Sequence, residues 1–63
     1  MKTEIARVNI PANSNRMKIA RAFANHPAFH LYRIGEIVET MRSYERDGLL
    51  VITDCEAVLY HIF

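Results

Sequence analysis

Over residues 4–10, EIARVNI, apolar and polar positions alternate: Ala6, Val8 and Ile10 fall on one side of a period-two pattern and Ile5, Arg7 and Asn9 on the other. This is the pattern of a half-buried strand. Pro11 closes it, because proline has no N–H to give to a ladder. The turn PANSN follows, with Asn13 or Ser14 placed to cap a helix by accepting from its orphan amides. From about residue 15 to 25 the period becomes helical, with Met17, Ile19, Ala20, Phe23 and Ala24 on one flank and Lys18, Arg21, Ala22 and Asn25 facing away. His26-Pro27 stops that helix, since the residue before a proline is pushed out of the helical region. A second stripe, Leu31, Ile34, Ile37, Val38, Met41 and Tyr44, predicts a helix starting near residues 29–31 and reaching Asp47, with Gly48 as its left-handed end. Gly35 lies inside this stripe, at a cost of about 1 kcal/mol against alanine, and marks close packing or a break. Residues 49–53 and 58–63 then read as strands around Asp54-Cys55-Glu56-Ala57, whose turn type stays open without an Asn-Gly or Asp-Gly pair.

The order is strand, helix, helix, strand, strand. Three short strands in one antiparallel sheet, with both helices on its single covered face, give a two-layer α+β domain spanning residues 1–63. A lone hairpin would be unstable in water, and the N-terminal strand is the natural third member. At 63 residues there is room for one domain of marginal stability. The 51% hydrophobic content is well above what disorder tolerates, so a packed core is expected.

Composition narrows the chemistry. Cys55 is the only cysteine, so no internal disulfide forms and no thiol cluster is available to zinc. His26 and His30 stand four apart, but no second ligand pair accompanies them and His61 and Cys55 lie far along the chain, so no metal site and no cofactor is expected. Cys55 lies between Asp54 and Glu56, whose negative field suppresses a thiolate, and no base or pocket accompanies Glu36 and Glu39. A non-catalytic role is therefore expected. No stretch approaches the roughly 18 apolar residues of a membrane span, and the charged N-terminus MKTEIARVNI does not fit a signal peptide; with the lone thiol this points to a cytoplasmic setting.

The formal net charge of +1 hides a gradient. Residues 1–33 hold six basic side chains against Glu4 alone, a net +5, and residues 34–63 hold Arg42 and Arg46 against six acids, a net −4. Such asymmetry marks a polyanion-binding surface or the pairing of two copies. Lys18, Arg21 and Arg33, with Lys2 and Arg7 behind them, are the candidate phosphate contacts, against the plain alternative of solvated helix faces.

From residue 16 to 63 the chain resembles a compact winged helix-turn-helix domain. The likeness rests on ANHP at residues 24–27, where a first helix ends, and on SYERDGLLVI at residues 43–52, similar to the end of a recognition helix with Tyr44 in the leucine position. VLYHIF at residues 58–63 matches the aromatic closing strand of a wing. Short versions of this pattern are typical of phage and plasmid regulators. The resemblance implies that the second helix reads double-stranded DNA through Tyr32, Arg33, Thr40 and Ser43, with Lys18 and Arg21 on phosphates. Between Pro27 and the second stripe only Ala28, Phe29 and His30 are available for the family's separate second helix; if Gly35 is the turn glycine instead, recognition begins near Glu36. The flank of that helix carries two acids and two bases, so it exerts no net pull on phosphate.

The last strand suggests a second role. Val58, Leu59, Tyr60, His61, Ile62 and Phe63 are nearly all apolar on both faces, and only one face can meet the helices. With no disulfide or metal staple, a homodimer through this strand is expected. The alternative function is accordingly a dimeric adaptor or inhibitor that binds a host protein and no nucleic acid.

Overall fold

A computed structural model describes all residues, 1–63. It is a two-layer α+β domain: strand β1 (Lys2–Asn9), helix α1 (Arg16–Ala24), a single 3-10 turn (Pro27–Phe29), helix α2 (Ile34–Arg46), and strands β2 (Leu50–Ile52) and β3 (Glu56–Ile62). The sheet is antiparallel in the order β1-β3-β2. β3 is thus the central strand. Its inward residues Ala57 and Leu59 pack with Ala6 of β1 and Leu50 of β2, and both helices lie on them through Ile19, Ala20, Phe23, Ile37 and Met41. Phe23, Ile19, Ile37, Met41 and Leu59 are fully buried, each worth roughly 1.5–3 kcal/mol of transfer free energy. No polar or charged side chain is buried.

The elements begin and end where local chemistry allows. Asn15, rather than Asn13 or Ser14, caps α1: its Oδ1 accepts from the Lys18 N–H at 2.9 Å. Asn13 instead takes a left-handed conformation (φ 62°), which asparagine tolerates better than most residues, and so turns the chain toward the cap. The second helix starts later than its stripe suggests. Pro27, Ala28 and Phe29 form a separate 3-10 turn, and Phe29 is buried against Phe23 with ring centroids 5.5 Å apart. Phe29 therefore takes the core position that Leu31 was expected to fill, and Leu31 is 82% exposed. Gly35 falls in the first turn of α2 rather than in its interior. At the other end Gly48 is left-handed (φ 74°), and the amides of Gly48 and Leu49 donate to the carbonyls of Glu45 and Tyr44. This Schellman arrangement stops the helix and aims the chain into β2.

β1 departs from strict alternation at one place. Its register against β3 shifts between Glu4 and Ala6, a bulge at Ile5. Ile5 and Ala6 thereby both lean on the core, and Glu4 and Arg7, three apart, come to share the outer face of the sheet.

Candidate functional site

Two surfaces offer chemistry to a partner: the outer face of the sheet and the exposed flank of α2. On the sheet, Arg7 is the hub. Its guanidinium donates to both carboxylate oxygens of Glu4 and, at 2.7 Å, to Glu56 Oε1 of β3. The hydrogen bond from Arg7 holds the Glu4 carboxyl below its ordinary range, and the two acids raise the Arg7 guanidinium further. Lys2 lies 4.6 Å above the ring of Tyr60, a cation–π contact. Every charge on this face has a partner within the chain.

The flank of α2 is organised differently. Tyr32 and Arg33 precede the helix instead of lying in its first turns. Arg33 is the residue before α2, its N–H donating to Glu36 Oε1 at 2.8 Å, and Tyr32 stands edge-on to Phe29 with centroids 5.1 Å apart. An open depression of about 750 Å³ is bounded by Tyr32, Arg33 and Ile34 at one end and by Glu36, Glu39 and Thr40 along the helix. A smaller one of about 240 Å³, lined by Glu39, Arg42, Ser43 and Arg46, continues it. The two meet at Glu39. Thr40 spends its hydroxyl proton on the Glu36 carbonyl at 2.9 Å, which leaves only acceptor capacity facing outward. Glu39, Arg42 and Arg46 make no ion pair in the chain.

Of the residues singled out for contact with DNA, Tyr32, Arg33 and Thr40 share the larger depression, and Ser43 lines the smaller. Lys18 and Arg21 belong to α1 and line neither. Both are exposed and without an acidic partner, and Arg21 in the last turn complements the negative end of its own helix. The N-terminal positive excess is smaller in space than in sequence. Arg7 is tied to two acids, and Arg16 pairs with Glu45 across the helices.

The expected interface strand needs correction in one respect. β3 is bonded on both sides, so it presents no edge to another chain, and Val58 and Leu59 are buried in the monomer. Leu59 faces the helices. Val58 lies on the outer face but is flanked by Arg7 and Val51, its cross-strand neighbours. Tyr60 and His61 are half-buried, and only Ile62 and Phe63 remain open. The His61 ring meets Tyr44 Oη at 2.8 Å and Phe63 edge-on, closing one end of the core.

The remaining titratable candidates are occupied structurally. His26 Nδ1 accepts from the Ala28 N–H, and His30 Nδ1 donates to the Pro27 carbonyl. Cys55 is exposed in the β2–β3 turn, where Thr53 Oγ1 accepts from the Cys55 and Glu56 amides. No three His, Cys, Asp or Glu side chains are grouped to hold a metal ion, and no helix is long and apolar enough to cross a membrane. No protein family, curated protein or solved structure matches the chain.

Proposed function

We propose that the chain is a non-catalytic protein-interaction module whose docking surface is the exposed flank of α2. One observation carries this reading: charges of both signs line two adjoining open depressions that share Glu39, in the order Arg33, then Glu36 and Glu39, then Arg42 and Arg46, with the last three free of ion pairs in the chain. A phosphate backbone offers only negative charge and would meet Glu36 and Glu39 in the middle of its path. A protein surface can answer both signs, and the exposed Tyr32 and Ile34 at the end of the trough supply the apolar and aromatic anchors that dominate protein interfaces.

The second reading is the winged-helix DNA-binding regulator. What favours it is that Lys18, Arg21 and Arg33 have no acidic partner and that a two-stranded hairpin follows α2. Titration of labelled duplexes at two salt concentrations separates the two. The module reading expects no binding, or weak binding that is the same for unrelated duplexes. Tight, sequence-dependent binding that Arg33→Ala weakens by about 1–3 kcal/mol, with Lys18→Ala lowering the salt slope by about one, would establish the regulator and remove the module.

A further inference from the structure

The trough on α2 has a property that the sheet face lacks: its charge order is self-complementary. Within α2 itself the acids Glu36 and Glu39 occupy the first half of the flank and the bases Arg42 and Arg46 the second, with Arg33 standing just ahead of the helix. We propose that the occupant of this surface is a second copy of the chain, packed α2 against α2 in antiparallel fashion about a two-fold axis level with Met41, between Thr40 and Arg42. This rests on the reading of α2 as a protein-docking surface and names its partner.

In that arrangement Glu36 lies opposite Arg46 of the second copy, and Glu39 lies between Arg42 and Ser43 of the second copy. The two-fold repeats each pair, as an isologous interface requires. The antiparallel crossing also sets each helix's positive end beside the other's negative end. Acid early and base late would suit an isolated helix's own dipole as well, and that is the plainer explanation of Glu36 and Arg46. It does not account for Glu39 and Arg42, which stand three apart and are not joined, whereas Arg7 and Arg16 elsewhere have found their acids.

Shape agrees with charge. Gly35, Thr40 and Ser43 line the trough with small side chains, and nothing lies within 4 Å of where a Cβ on Gly35 would stand. Two helices can therefore approach to the 8–10 Å typical of packed pairs. At each end Tyr32 and Ile34, 47% and 40% exposed, would be covered by the second copy. A contact about 20 Å long falls short of the roughly 800 Å² per partner of a stable complex, so the dimer is weak and depends on concentration and salt.

The test is sedimentation equilibrium on the whole chain at low and high salt, from about 10 µM to 1 mM, the range in which small transient interfaces associate. Two charge variants accompany it: E36Q/E39R, which keeps a capping acceptor at position 36, and R42E/R46E. Far-UV circular dichroism checks that each is folded. The wild type should dimerise, and its dissociation constant should rise several-fold with salt. Each variant alone should be monomeric, since its flank then repels its own copy, and an equimolar mixture of the two should form a heterodimer. A wild type that stays monomeric at the highest concentration, folded variants that self-associate as well as the wild type, or a mixture of folded variants that fails to associate would each overturn the proposal. None of these results decides whether the chain binds DNA; the duplex titration does so separately, so failure of the dimer is distinguishable from failure of the module reading.

Discussion

The outer face of the sheet and the outer flank of α2 carry similar side chains, yet they have settled their charges in opposite ways. On the sheet, Arg7 gathers Glu4 and Glu56, and Lys2 covers Tyr60. On the helix, Glu39, Arg42 and Arg46 share a trough without pairing. An exposed charge already matched inside the chain has little left to offer a partner, because docking there must first break the match. An unmatched charge costs little to engage. The difference divides the surface into a part whose charges are matched within the chain and a part whose charges are not.

Substitutions can break or sharpen that division. The largest effect is expected at Leu59, fully buried on the strand that carries both outer-face and core residues. Leu59→Ala should cost about 2–5 kcal/mol, which rivals the whole stability of so small a domain, and circular dichroism should show a largely unfolded chain at 25 °C. The two glycines should respond with opposite signs to the same change. Gly48→Ala forces a side chain into a left-handed conformation at about 1–2 kcal/mol, whereas Gly35→Ala, in an ordinary helical turn with open space around it, should stabilise by roughly 0.5–1 kcal/mol in urea titration. Gly35→Ala nonetheless narrows the α2 trough, so it should weaken association while strengthening the fold. That split would separate the two surfaces in a single variant.

Smaller effects test the charges themselves. Glu4 has a lowered carboxyl pKa in the fold, so its contribution is present above its ordinary value of 4.5 and is lost as the pH falls through the lower folded value. In Arg7→Met that part of the acid-side decline in urea midpoint should disappear, and at neutral pH the midpoint should drop slightly, less so in high salt. The smallest change is expected from Glu39→Ala, an exposed residue with no partner in the chain: stability within about 0.5 kcal/mol of wild type, but a measurable loss of dimer.

Much of the scaffold was legible in the sequence because its signals are local. The alternation of Ala6 and Arg7, the Ile37–Met41 spacing and the left-handed Gly48 each report a neighbour a few residues away. The 3-10 turn was hidden because Leu31 and Phe29 both fit a helical stripe, and only packing against Phe23 chooses Phe29. The bulge at Ile5 escaped for a similar reason, although Glu4 and Arg7, opposite charges three apart in a strand, were a hint that alternation had to fail between them. β3 read as a strand with a face to spare, when two apolar faces also describe a strand enclosed on both sides. Of the residues singled out on the second helical stripe, Thr40 and Ser43 lie on α2, whereas Tyr32 and Arg33 precede it, because the 3-10 turn delays the start of the helix. The pairings that remove Arg7 and Arg16 from the basic excess join distant segments, and no local pattern encodes them.

The central place of β3 also governs the order in which the molecule can assemble. The β2–β3 hairpin and the α1–α2 pair are built from segments close in the chain, but β1 meets β3 only by closing a long loop; Arg7 and Glu56, which join across that seam, stand 49 residues apart. Loop closure of this length must be met in entropy before the seam returns any contact energy. During synthesis β1 emerges first and finds its partner last. Until then its row of unpaired amides is guarded by the charges of Lys2, Glu4 and Arg7. These features, which in the finished fold bind β1 to its neighbour, serve the nascent chain as protection against joining the wrong strand.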